Sequence, residues 1–272
     1  MIALPSGLRL RVLESGASTA EPVLLIHGWG ACVYTFRFTL EALARAGRRA
    51  LAFDLRGHGL SDKPVGRNEY ATDELLGDVR ELMETLGVAR TDVLGHSLGG
   101  SLALRFALAH PSRVRRLALA APVGIASVPL RSMARVLAPS FTDRFARYLP
   151  PRWLTGILLR GAYGDPSRLT ERTVDEYWAP SQFGEYYRAV RALLDRYTWA
   201  PLLPRDLSKV TQPTLVITGS ADRLIHGAER GAAVIPNAKV VSIAGAGHLG
   251  IEECAEEFNE VLVRFFGGER FL

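Results

Sequence analysis

The chain has 272 residues, 48% hydrophobic and 22% charged, with a formal net charge of +5; that is the balance of a soluble globule and excludes a disordered chain. No apolar run reaches the roughly 18 residues that integral membrane association requires, and the basic excess is not interleaved with any nucleic-acid-binding motif. Cys32 and Cys254 have neither C-x-x-C nor metal-ligand spacing, which predicts reduced thiols in a cytoplasmic protein with no metal and no cofactor.

Taken in chain order, Leu8, Leu10 and Val12 alternate with Arg9 and Arg11, which predicts a half-exposed strand over 8–15 and not a signal peptide. Pro22 to Ile26 (PVLLI) opens a buried strand over 22–28, and a further strand is predicted over 48–54. In the stretch 70–86, Leu75, Leu76, Val79, Leu82, Met83 and Leu86 share one helical face, and Gly87 follows as a C-terminal cap. A strand over 91–96 runs into Gly95-His96-Ser97-Leu98-Gly99, then a helix over 100–110 that Pro111 stops. Another strand covers 115–123.

Between 123 and 207 the strand signals cease, and aromatic, proline and arginine residues cluster. Helices are predicted there at Pro129–Leu137, Ser140–Tyr148, Trp153–Gly161, Glu171–Trp178 and Glu185–Tyr197. Most of the positive excess lies in this span, but its arginines alternate with acids, as on a solvated surface. Strands over 213–219 and 238–244 follow, and a last helix, 251–266, begins acidic and ends with Arg264, which suits the helix dipole. Strand and helix in alternation predict an α/β fold whose mostly parallel sheet is covered on both faces.

Gly95-His96-Ser97-Leu98-Gly99 fits G-x-S-x-G at a strand-to-helix turn, where a serine hydroxyl stands exposed before the free amides of a helix N-terminus. Asp222 lies just past the strand over 213–219, and His248 just past the one over 238–244. In a parallel sheet those strand ends converge on one edge, so Ser97, Asp222 and His248 meet in the order that accompanies such an elbow. His226 is the rival base, but it opens a helical segment; Asp206 is the rival acid, but it precedes a strand. His27, His58, His96 and His110 read as structural, with His96 turned away from the site by strand alternation.

Five segments now stand in order: HGWG at 27–30, DLRGHGLSD at 54–62, GHSLGG at 95–100, GSADRL at 219–224 and GAGHLG at 245–250. Over almost its whole length the chain resembles the α/β-hydrolases, in their serine-nucleophile branch. The resemblance implies an eight-stranded-type sheet, a core formed by 1–123 and 208–272, and a helical cap inserted at 124–207. Phe141, Phe145, Tyr148, Trp153, Tyr163, Tyr177, Trp178, Phe183 and Tyr186 are the candidates to line a pocket beneath that cap or to pack it down.

In such a site Ser97 attacks a carbonyl carbon, His248 carries its proton, and Asp222 orients the histidine. The backbone N–H groups of Trp29 and Leu98 form the oxyanion hole, and the side chains of Trp29 and Leu98 are expected to touch substrate. Dehalogenases and epoxide hydrolases of this family place a carboxylate where Ser97 stands, so the resemblance implies acyl transfer: hydrolysis of a small-molecule carboxylic ester of small to medium acyl chain. A carbon–carbon hydrolase of ring-fission products, a lactonase or perhydrolase, and a slow-turnover ligand receptor are the alternatives. No motif specifies an oligomer.

Overall fold

The computed structural model describes residues 1–125 and 151–269. A two-stranded ribbon, β1 (Ile2–Ala3) with β2 (Arg9–Leu10), precedes a seven-stranded sheet. Its strands are β3 (Val12–Ser15), β4 (Pro22–Ile26), β5 (Arg49–Phe53), β6 (Thr91–His96), β7 (Val114–Ala120), β8 (Thr214–Gly219) and β9 (Ala238–Ile243), in spatial order β3-β5-β4-β6-β7-β8-β9. The β3 strand pairs antiparallel with β5, and all the other pairings are parallel. The described helices are α1 (Arg37–Arg45), α2 (Thr72–Thr85), α3 (Leu98–Ala109), α4 (Arg152–Ala162), α5 (Glu171–Trp178), α6 (Tyr186–Arg196), α7 (Pro204–Leu207), α8 (Ala228–Ala232), α9 (Gly250–Glu253) and α10 (Ala255–Phe266).

Strand alternation divides the apolar residues between two cores, because successive side chains leave a strand on opposite faces. Leu24, Ile26, Leu51, Phe53, Val93, Leu117, Leu119 and Val216 join α2 and α3 on one face. Their sequence neighbours Val23, Leu25, Ala50, Ala52, Leu94, Ala118, Ala120 and Leu215 join α1 and α10 on the other. A sheet covered on both faces needs strands that are apolar on both, and these are. Gly87 ends α2 as expected: its φ is +67° and its N–H donates to the Glu84 carbonyl at 3.1 Å.

Three elements depart from the sequence expectation. The strand over 8–15 is split between the ribbon and the main sheet, because the Leu4–Leu8 turn folds β2 back on β1 while Arg11 turns to the 54–62 loop, its N–H bonding Ser61 Oγ at 2.9 Å. The α3 helix starts at Leu98, directly after the turn serine and ahead of the expected Gly100. The C-terminal helix is interrupted at Cys254, whose φ of −119° leaves the helical region with no proline or glycine to announce it. Between β7 and β8 the described residues form α4 to α7, close to the predicted 153–161, 171–178 and 185–197; the predicted helices Pro129–Leu137 and Ser140–Tyr148, with Phe141, Phe145 and Tyr148, lie outside the described residues. No helix among the described residues is long and apolar enough to cross a membrane.

The 54–62 loop sets the first loop of the site. Asp54 Oδ1 accepts from Val33 N–H at 2.7 Å and Oδ2 from Leu60 N–H at 2.9 Å, so one buried carboxylate joins the two segments. Arg56 anchors the loop to α2 through a two-bond contact with Asp78, both at 2.5 Å, inside the protein. A buried carboxylate deprived of its partner is costly, so Arg56→Met is expected to lose about 3–5 kcal/mol of unfolding free energy. Urea titration measures this, and Arg56→Met/Asp78→Leu should recover most of it; a single variant as stable as wild type would sink the expectation.

Candidate functional site

Ser97 occupies the sharp turn between β6 and α3 at φ +54° and ψ −116°, a conformation that costs a non-glycine residue about 1–3 kcal/mol. The turn is fastened on both sides: Ser97 N–H donates to the Ala120 carbonyl at 2.9 Å, and the Ser97 carbonyl accepts from Gly100 N–H at 3.0 Å and Val123 N–H at 3.1 Å. Glycine is needed two residues before and after it because backbone passes there. A Cβ on Gly95 would lie 2.2 Å from the Gly99 carbonyl oxygen, and one on Gly99 only 2.0 Å from that of Ile26.

Asp222 and His248 come together because the loops after β8 and β9 are stitched to each other. Ser220 N–H donates to the Ile243 carbonyl at 3.0 Å, Ala221 N–H to that of Ala246 at 2.8 Å, and Gly245 N–H to Ser220 Oγ at 2.8 Å. His248 Nδ1 then lies 3.0 Å from Asp222 Oδ2, with both residues buried. Burial drives the Asp222 carboxyl upward, but the bonds from His248, from Leu224 N–H at 2.7 Å and from Ile225 N–H at 3.0 Å outweigh it, and the group is held below the ordinary carboxylate value. An ionised carboxylate only accepts, so in the neutral imidazole the His248 proton sits on Nδ1 and Nε2 keeps its lone pair. That is the tautomer of a general base.

His96, the residue before Ser97, packs on His248. His96 Nε2 donates to the His248 carbonyl at 2.9 Å, and the two rings lie 5.0 Å apart. No Ser97–His248 hydrogen bond forms among the described residues; such pairs are often loose without substrate and close when it binds. The expectation that His96 turns away from the site is therefore corrected: it packs on the candidate base, and burial lowers its pKa to about 3, so it stays neutral. His226 is exposed, and Asp206 pairs with Lys209 at 3.0 Å, so neither rival joins the site.

The Gly28–Trp29–Gly30 turn lies against Ser97, since a Cβ built on Gly28 would be 3.0 Å from Ser97 Cβ. His27 braces this turn with both ring nitrogens: Nδ1 donates to the Gly28 carbonyl at 2.8 Å, and Nε2 accepts from Leu55 N–H at 3.0 Å. Burial lowers His27 to about 4, which keeps it in that neutral form. Neither the Trp29 nor the Leu98 amide has an acceptor among the described residues. The Trp29 indole Nε1–H donates to the Val190 carbonyl of α6 at 2.8 Å. Sequence patterning offered no signal for a partner 161 residues away.

Three of the six described candidate pocket aromatics, Tyr163, Tyr177 and Tyr186, fasten α4 to α6 onto the sheet. Tyr163 and Tyr177 both bond the buried Glu252, four residues after His248, and Tyr177 also meets Thr35 Oγ1 at 2.7 Å. Arg37 completes the cluster with a 2.6 Å bond to Glu252. Burial raises the Glu252 carboxyl although Arg37 and the tyrosines oppose it. Glu253 takes the Gly164 N–H at 3.0 Å, the Asp165 N–H at 3.1 Å and the Gly247 N–H at 2.5 Å. Sequence reasoning read this acid pair only as a helix-dipole feature. Trp153 and Phe183 are exposed. Among the described residues no group of three or more His, Cys, Asp or Glu could hold a metal ion.

A family model described as the alpha/beta hydrolase fold matches residues 21–254. A dihydrolipoyllysine-residue acetyltransferase component of the acetoin cleaving system from Cupriavidus necator is 30% identical over 96% of this chain and 67% of its own length. The solved enol-lactonase of Burkholderia xenovorans superposes with a TM-score of 0.80 at 26% identity, covering 98% of this chain and 99% of that one. A meta-cleavage product hydrolase from Pseudomonas fluorescens reaches a TM-score of 0.83 at 23% identity, over 98% of this chain and 97% of its own, and so shows the shared fold.

Proposed function

The chain belongs to the alpha/beta hydrolase fold family, and from that premise we propose that it is a serine hydrolase that cleaves carboxylic esters through an acyl-enzyme. The observation that carries the reading is Ser97 itself: a strained serine at a strand-to-helix turn, with amides on its own helix and on the turn packed against it that have no acceptor among the described residues. Ser97 Oγ would attack the ester carbonyl carbon while its proton passes to His248 Nε2. The carbonyl oxygen gains negative charge and is received by the amides of Leu98 and Trp29. His248 then gives the proton to the departing alcohol, and water repeats the sequence to release the acid. Asp222 stabilises the charged imidazole and keeps it in register.

The likeness to an enol-lactonase supports this reading, since a lactone is a cyclic ester. Initial rates on p-nitrophenyl esters of two to sixteen carbons test it, with Ser97→Ala beside the wild type. Serine-dependent turnover with an optimum among the shorter chains is the expected outcome. A folded wild type that turns over none of them, and whose Ser97 resists an alkyl fluorophosphonate, would overturn it.

A further inference from the structure

Two glycines flank Trp29, and Gly30 adopts φ +73°, so the turn that carries the Trp29 amide has almost no side chains of its own to fix it. What fixes it comes from elsewhere. On the sheet side, His27 Nδ1–H and Ala31 N–H both donate to the Gly28 carbonyl, at 2.8 and 3.2 Å. On the opposite side stands α6. The Trp29 indole N–H donates to the Val190 carbonyl at 2.8 Å, and the Tyr186 hydroxyl donates to the Gly30 carbonyl at 3.2 Å. Tyr186 and Val190 are buried, and the Tyr186 ring also meets His58 edge-on at 6.3 Å, so the strut is packed and does not swing in solvent.

We propose that the Trp29 indole and the Tyr186 hydroxyl are positioning groups: together they hold the Trp29 amide where an oxyanion forms, and so make α6 part of the frame of the oxyanion hole. The inference rests on the serine-hydrolase reading. A backbone donor contributes to the transition state only when it is aimed in advance at the charge that develops, and a misplacement of about 1 Å can cost a hundredfold. The ester carbonyl of the ground state draws on such donors far less than the oxyanion does. Releasing the strut therefore lowers kcat and leaves KM nearly untouched, which loss of a substrate contact would not do.

Trp29→Phe keeps an aromatic ring and deletes the N–H; Tyr186→Phe deletes one hydroxyl and keeps the test open if the first variant folds poorly. On a p-nitrophenyl ester each is expected to lower kcat, Trp29→Phe by about tenfold or more and Tyr186→Phe by less, with KM within about twofold. Affinity for an alkyl trifluoromethyl ketone, which forms a tetrahedral oxyanion on Ser97, should fall by the same factor as kcat/KM. An unchanged kcat with raised KM would make Trp29 a substrate contact and overturn the inference, as would variants indistinguishable from wild type. If the wild type neither hydrolyses the ester nor binds the ketone, the serine-hydrolase reading fails first and takes the inference with it; failure confined to the variants strikes the inference alone.

Discussion

Ser97→Ala is expected to lower ester turnover about a millionfold, since removing the proposed nucleophile from a group that acts as a unit costs about as much as removing the whole group. The protein should meanwhile be no less stable than the wild type. The serine holds φ +54°, and the bonds that secure the turn are backbone bonds that alanine keeps. Ser97→Gly sharpens the point: glycine enters this region without strain, so part of the roughly 1–3 kcal/mol stored at the turn should appear as added unfolding free energy. Lost activity with retained or raised stability marks a position where strain serves chemistry. Kinetics on p-nitrophenyl butyrate and urea unfolding of the same samples check both halves. Turnover within tenfold of wild type in Ser97→Ala would remove the nucleophile from the mechanism.

How much of this could be read from the sequence depends on the range of the contacts. The parallel sheet was legible because Val23 to Ile26 and Leu117 to Ala120 are apolar at every position, and burial on both faces is a local property of a strand. Ser97, Asp222 and His248 were legible for a related reason: each follows a strong strand signal, and parallel strands bring their ends to one edge. The supporting shell was not. Tyr177 and Glu252 are 75 residues apart, and Trp29 and Val190 are 161 apart; no periodicity links residues at such separations. His96 shows the limit most plainly. Alternation along β6 turns it from Ser97, yet the loop after β9 brings His248 round to that same side.

Asp222→Asn is expected to lower kcat about ten-thousandfold, less than losing the serine but large for a side chain that keeps its size and never touches substrate. In the wild type the ionised carboxylate accepts from His248 Nδ1, and Oδ1 is occupied by the Leu224 and Ile225 amides. Those amides require an acceptor, so the asparagine carbonyl turns to them and its NH2 faces His248. The imidazole must then accept at Nδ1 and carry its proton on Nε2, where it can no longer take one from Ser97. The substitution also changes the response to acid. Because the folded Asp222 carboxyl titrates below its unfolded value of about 3.9, the stability it contributes is complete above that pH and disappears as the pH falls through the folded value. Asparagine has no such term. The stability gap between wild type and Asp222→Asn should therefore close as the pH falls below about 4. Unfolding midpoints of both proteins from pH 3 to 7 measure it. A gap that does not close below pH 4 would mean that the pair is not the ionised contact described, and the tautomer assigned to His248 would fall with it.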